Sequence, residues 1–109
     1  MRTPDVELLW WDGCPSAERA LEELGAALRD VGLDRSGVRV TEIRTDDEAR
    51  AASFLGSPTI LVDGADVAPS DGDERIGLSC RVYRRRDGTV SPTPDPDDLR
   101  DVLSERMGT

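Results

Sequence analysis

The sequence predicts an α/β layer fold, and three observations carry that expectation. Short apolar runs of strand length alternate with stretches of helical period, and paired turn residues separate them. No repeat or linker divides the chain, so residues 1–109 are expected to form a single domain around one core.

Residues 6–11 read as the first strand, an apolar and aromatic run closed by Asp12-Gly13. From Pro15 the period changes. Ala17, Ala20, Leu21, Leu24, Ala27, Leu28 and Val31 form one apolar stripe, with Glu18, Glu22, Glu23 and Arg29 off it. Pro15 suits the first helical position, because its missing N–H has no partner there, and Gly32 suits the stop. Residues 38–44 alternate as a second strand. Thr45-Asp46-Asp47-Glu48 is a capping-box pattern that opens a short helix ending by Gly56. Thr59–Val62 is β-branched and apolar, and it ends at the hairpin-type turn Asp63-Gly64. Residues 65–79 read as a loop, and residues 80–86 as a further strand closed by Asp87-Gly88. Asp95-Pro96-Asp97-Asp98 opens a terminal helix whose core face is Leu99, Val102 and Leu103. The predicted order is β-α-β-α-β-loop-β-α, with the first strands parallel and joined by a right-handed crossover.

Composition narrows the function. The formal charge is −9, which repels phosphate backbones and anionic membrane surfaces, so neither nucleic acid nor a membrane is an expected partner. The chain contains no His. That excludes Ser-His and Cys-His dyads and histidine metal ligands, and it leaves acid–base work to carboxyls, thiols or water. The start of the chain carries Asp5 and Glu7 beside only a short apolar run, unlike a signal peptide or a spanning helix. The expected setting is cytoplasmic, where two Cys are reactive or buried rather than a structural staple.

The candidate chemistry starts at Cys14, in Trp11-Asp12-Gly13-Cys14-Pro15-Ser16-Ala17. A thiol on the turn from a strand into a helix, placed at the helix N-cap, meets unpaired amides and the positive end of the helix dipole. Gly13 allows the tight turn, and Trp11 shields one side of the sulfur. Asp12 opposes ionisation, so a modest lowering of the thiol pKa is expected. The competing reading is a buried cysteine that only packs. Asp71, Asp73 and Glu74 lack the spacing and glycine of a calcium loop, so no metal or cofactor is expected. Arg84-Arg85-Arg86 reads as a solvated strand end.

Gly56-Ser57-Pro58-Thr59, followed by Ile60-Leu61-Val62-Asp63-Gly64, resembles the cis-proline loop and strand of the thioredoxin superfamily. In that family a strand–CxxC–helix unit precedes the loop by some forty residues, and Cys14 and Pro58 stand in that relation. The resemblance covers roughly residues 5–64 and the terminal helix. It implies a thioredoxin-like fold, a mixed sheet of about four strands with helices on both faces. It also implies that Pro58 is cis and that the Ser57 backbone faces the sulfur, ready to pair with a substrate main chain. Trp11, Ser57, Pro58 and Thr59 would then line the substrate groove. The alternative for Pro58 is an ordinary trans bond at the start of a strand.

One departure matters. The family's second Cys lies three positions after the first, where this chain has Ala17. A mixed disulfide at Cys14 therefore needs a low-molecular-weight thiol or a distant Cys to resolve it. Cys80 is the only intramolecular candidate. If the 65–79 loop folds back over Cys14, the sulfurs approach; if Cys80 merely begins a strand after a hairpin, they lie at opposite ends of the sheet. Gly13-Cys14-Pro15, Gly56-Ser57-Pro58-Thr59 and Gly77-Leu78-Ser79-Cys80-Arg81 together also resemble small thioredoxin-like bacterial proteins labelled alkylmercury-lyase-like. A true lyase of that kind needs two thiols and an acid, which Cys14, Cys80 and Asp12 would supply, although this chain is short for one.

Three functions follow as expectations. The first is thiol–disulfide oxidoreductase chemistry at Cys14, with a protein or low-molecular-weight thiol or disulfide as partner. The second is a redox-inactive binding module using the same groove. The third is soft-metal or organomercurial binding through Cys14 and Cys80.

Overall fold

The computed structural model describes residues 3–68 and 75–108. The apolar run near the start forms β1 (Val6–Trp10), which ends where Gly13 turns the chain. The stripe after it forms α1 (Ala17–Asp30), which buries Ala20, Leu24, Ala27 and Leu28. Gly32 stops this helix as expected. Its φ of +88° is open to glycine at little cost, and it lets the Leu33 N–H reach back to the Leu28 carbonyl at 2.8 Å.

After a short 3-10 turn come β2 (Arg39–Glu42) and α2 (Asp46–Ala51). Thr45 caps α2 by accepting the Glu48 N–H at 3.1 Å, and the Glu48 carboxylate reaches back to the Arg44 N–H at 2.8 Å. Then come β3 (Thr59–Val62) and β4 (Ala65–Asp66). A two-residue turn at Asp63-Gly64, both with positive φ, joins these two strands. The chain closes with β5 (Tyr83–Arg84), β6 (Val90–Ser91) and α3 (Pro96–Met107).

Strands one to four form a mixed sheet in the order β2-β1-β3-β4. β1 runs parallel to β2, while β3 is antiparallel to both β1 and β4. Strand alternation divides the core between the two faces. Val6, Leu8, Ile60 and Val62 pack with Leu24 and Leu28 of α1 and with Leu99 and Leu103 of α3. Leu9 points the other way, into a smaller cluster with Ile43, Ala49 of α2, and Phe54. Helices therefore cover both faces, and the domain is α/β with a mixed four-stranded sheet. Among the described residues, no helix is long and apolar enough to cross a membrane.

Several expectations need correction. Pro15 does not open the first helix. Helical bonding begins with the Ser16 carbonyl, which accepts the Ala20 N–H at 3.0 Å, and Ser16 is the N-cap. Proline disfavours helical geometry in the residue before it, which leaves Cys14 two residues ahead of the cap. The 65–79 loop begins instead with strand β4, and its residues 69–74, including Asp71, Asp73 and Glu74, lie outside the described residues. Of the strand expected over 80–86, only Tyr83–Arg84 is one, paired with β6 in a separate two-stranded sheet.

The arginine run is also more than a solvated end. Arg85 reaches Glu23 of α1 at 3.5 Å, and Arg86 bridges Asp98 and Asp101 of α3 at 2.7 and 2.6 Å. Asp95 caps α3 and accepts backbone N–H bonds from Arg86 and Asp97, which hold its carboxyl below the ordinary 3.8. Its contribution to stability is full above pH 3.8 and is lost as acid protonates the folded state. Asp95→Ala should cost about 1 kcal/mol in denaturant unfolding at neutral pH, and the deficit should shrink in acid.

Candidate functional site

Cys14 sits in the turn between β1 and α1, held by its N–H bond to the Trp11 carbonyl at 3.1 Å. The Trp11 indole lies against the turn so closely that a Cβ at Gly13 would collide with it. Trp11 also packs on the cluster formed by Leu9, Ile43 and Phe54. Cys14 itself is 5% exposed. Its thiol donates to the Ser57 carbonyl at 3.6 Å and lies 4.0 Å from the Ser16 hydroxyl. That hydroxyl makes no cap bond to the helix. Asp12 is exposed.

Opposite the sulfur, the Ser57–Pro58 bond is cis and leads into β3. Ser57 is fully buried, and its hydroxyl accepts the Trp11 N–H at 3.0 Å, which locks the proline loop to the cysteine turn. Its main chain is committed to the segment around Cys80. The Ser57 N–H donates to Ser79 O at 2.7 Å, and the Arg81 N–H donates to Ser57 O at 2.8 Å. This is an isolated parallel bridge between Ser57 and Cys80. The Ser57 main chain therefore faces the sulfur, but the chain's own backbone already pairs with it. Thr59 is buried as well. Its hydroxyl donates to Gly56 O at 2.6 Å and accepts from Arg81 at 3.2 Å.

The bridge carries Cys80 to the side of Cys14, so the two sulfurs do not lie at opposite ends of the sheet. Both are free thiols, Cys14 buried and Cys80 exposed. Their proximity is felt in the titration of Cys80, whose pKa is pushed up from 9.0 to about 11. The causes are, in order, a hydrogen bond with Cys14, burial, and the Cys14 charge. Because the folded value is raised, the contact stabilises the fold fully below pH 9.0 and loses that contribution as pH rises through about 11. Cys14→Ala removes the first and third causes. Thiolate absorbance at Cys80 should then rise at markedly lower pH than in the wild-type protein.

Three residues to which the sequence assigned no part in the site hold this arrangement. The Arg81 side chain is 1% exposed and pairs with Asp66 of β4 at 2.6 Å. It also bonds the Ala68 carbonyl and stacks 4.6 Å over the Tyr83 ring. The buried Tyr83 hydroxyl donates to the Pro58 carbonyl, and burial pushes its pKa up. Apart from the motif that ends at Arg81, the sequence signal was the spacing Arg81-x-Tyr83, which puts two large polar side chains on one face of an extended segment.

Gly56 lets the two segments meet. At φ +123° it adopts a conformation that side chains resist, and an added Cβ would stand 3.0 Å from the Arg81 Cβ and 3.1 Å from its amide. Protein-family models, curated proteins and solved structures offer no match to this chain. The site must therefore speak through its own geometry. It consists of a buried thiol, an exposed thiol beside it, and a proline loop bonded to both segments. Among the described residues, no group of three or more His, Cys, Asp or Glu side chains is arranged to hold a metal ion.

Proposed function

We propose that the protein is a thioredoxin-like thiol–disulfide oxidoreductase whose redox pair is Cys14 and Cys80. The single observation that carries this is that both cysteines meet at Ser57, whose carbonyl accepts the Cys14 thiol and whose main chain pairs with Cys80. The thioredoxin-like fold is supported by the parallel first strands joined through α1 and by the cis-proline loop at the Cys14 sulfur. A cytoplasmic, reducing setting suits a cycle that begins with both sulfurs as thiols.

Cys80 holds its proton to high pH, which leaves Cys14, the thiol seated against the proline loop, as the nucleophile of the pair. As its thiolate, Cys14 attacks one sulfur of a substrate disulfide. A Cys14–substrate bond forms, the substrate S–S bond breaks, and the first substrate half leaves as thiolate. Cys80 then loses its proton and attacks the Cys14 sulfur. The Cys14–Cys80 disulfide forms and the second half leaves as thiolate. The two protein protons end on the two departing thiols. The substrate has gained two electrons and the protein has lost two. Two molecules of a low-molecular-weight thiol restore the dithiol by the reverse exchange. Cys80 thus takes the role that a Cys at position 17 would have filled, as a resolving thiol brought from the far end of the chain.

Catalysis of hydroxyethyl disulfide reduction by glutathione tests the proposal. The wild-type protein should accelerate the reaction, and Cys14→Ser should return it to the uncatalysed rate. A wild-type rate no faster than that of Cys14→Ser would overturn it.

The meeting of both cysteines at Ser57 favours a second reading, two-coordinate binding of a soft ion by two thiolates. Titration with Hg(II) should then saturate at one ion per chain, and either Cys→Ser substitution should abolish tight binding. A peptide-binding module is less well supported, because the Ser57 main chain is already occupied.

A further inference from the structure

We propose that the segment Ser79-Cys80-Arg81 fills, from within the chain, the main-chain pairing position beside Cys14, and that the site therefore takes low-molecular-weight disulfides rather than extended polypeptides. This names the substrate class of the thiol–disulfide function and rests on it.

An extended peptide brings backbone N–H and C=O groups that lose water when it docks, and each needs a partner. The residue that faces Cys14 is Ser57, and both its backbone groups are spent on Ser79 and Arg81, at 2.7 and 2.8 Å. The occupying segment is anchored, not loosely laid. Arg81 is clamped by Asp66, Thr59 and the Ala68 carbonyl with its side chain 1% exposed. Gly56 removes the one Cβ that would hold the segment away. Seating a peptide would require both bridge bonds to open and the buried guanidinium to withdraw.

A small disulfide needs none of this. It has no extended main chain to satisfy, and it must only bring one sulfur to Cys14. The 5% exposure of Cys14 points the same way, since it leaves little surface against which a long chain could lie. The net charge of −9 makes a neutral probe the proper choice, so that repulsion does not mimic a size effect.

Two neutral probes with the same leaving group test the proposal. One is dithiodipyridine, and the other is an uncharged extended peptide carrying a pyridyl disulfide on a central Cys. Pyridinethione release from the reduced wild-type protein gives each second-order rate, and mercaptoethanol supplies the intrinsic ratio of the two probes. The rate of Cys14→Ala is subtracted to remove attack by Cys80. The protein should favour the small probe beyond the mercaptoethanol ratio by about 30-fold, the rate equivalent of opening two main-chain hydrogen bonds. A ratio equal to that of mercaptoethanol would overturn the substrate class while leaving thiol–disulfide exchange intact. Equal release from wild-type and Cys14→Ala would instead remove Cys14 as nucleophile and overturn the function itself.

Discussion

Arg81→Met is expected to destabilise the protein by about 3–5 kcal/mol, because it leaves the Asp66 carboxylate facing a site built for a cation. Asp66 retains 17% exposure, so water relieves part of that penalty and the lower end of the range is expected. Denaturant unfolding at neutral pH measures the loss. Much of it comes from the stranded charge and not from any large net gain of the pair, so the double variant Arg81→Met with Asp66→Leu should recover a substantial part. A double variant as unstable as the single one would show that Arg81 acts through its bonds to Thr59 and Ala68 instead. Where Arg81→Met still folds, the Ser79–Arg81 segment loses its anchor. Cys80 should then move away from Cys14, and its pKa should fall from about 11.

The second large effect is expected at Cys80. Cys80→Ser should leave attack on a small disulfide intact and stop the cycle at the next step, because a serine hydroxyl forms no disulfide and stays protonated near neutral pH. The variant should accumulate a mixed disulfide at Cys14, seen as one retained substrate half by intact mass and located by peptide mapping. Cys14→Ser should leave no retained half at position 14. If Cys80→Ser turned over hydroxyethyl disulfide as fast as wild type at low glutathione, an external thiol would be the resolving agent and Cys80 would have no part in the cycle.

Much of this fold was legible in the chain because local signals and tertiary packing agreed. Thr59–Val62 stands where its β-branched run placed it, between Pro58 and the Asp63-Gly64 turn. Thr45 and Glu48 cap the second helix as their spacing implied, and Asp95 caps the third. Two-residue strands such as Ala65–Asp66 and Val90–Ser91 are too short to show a period, so nothing local announced them. The strand expected over 80–86 fails for a different reason. Its composition suits an extended chain, but composition does not name the partner, and Cys80 and Arg81 pair with the proline loop instead of continuing into β5.

The site divides in the same way. Cys14 beside the proline loop was what the resemblance to the thioredoxin superfamily implied, and the Ser57 carbonyl does lie at its sulfur. The approach of Cys80 did not follow, because it depends on contacts between distant segments. It requires Gly56 for clearance, Asp66 to accept a buried guanidinium, and Tyr83 to tie the same segment to the Pro58 carbonyl. Each is an ordinary residue in the sequence and acquires its role only when three segments meet. The groove residues show the converse. The Ser57 carbonyl stands at the Cys14 sulfur, yet the polar groups of Ser57 and Thr59 serve the chain's own segments rather than an open groove.

Oxidation of the reduced protein with one equivalent of dithiodipyridine tests most directly whether Cys14 and Cys80 act as one pair. A working pair should release two equivalents of pyridinethione and yield a monomer lighter by two hydrogens, with no adduct retained and a single peptide linking Cys14 to Cys80. Retention of a pyridyl group on the chain, or a dimer joined through the exposed Cys80, would contradict it.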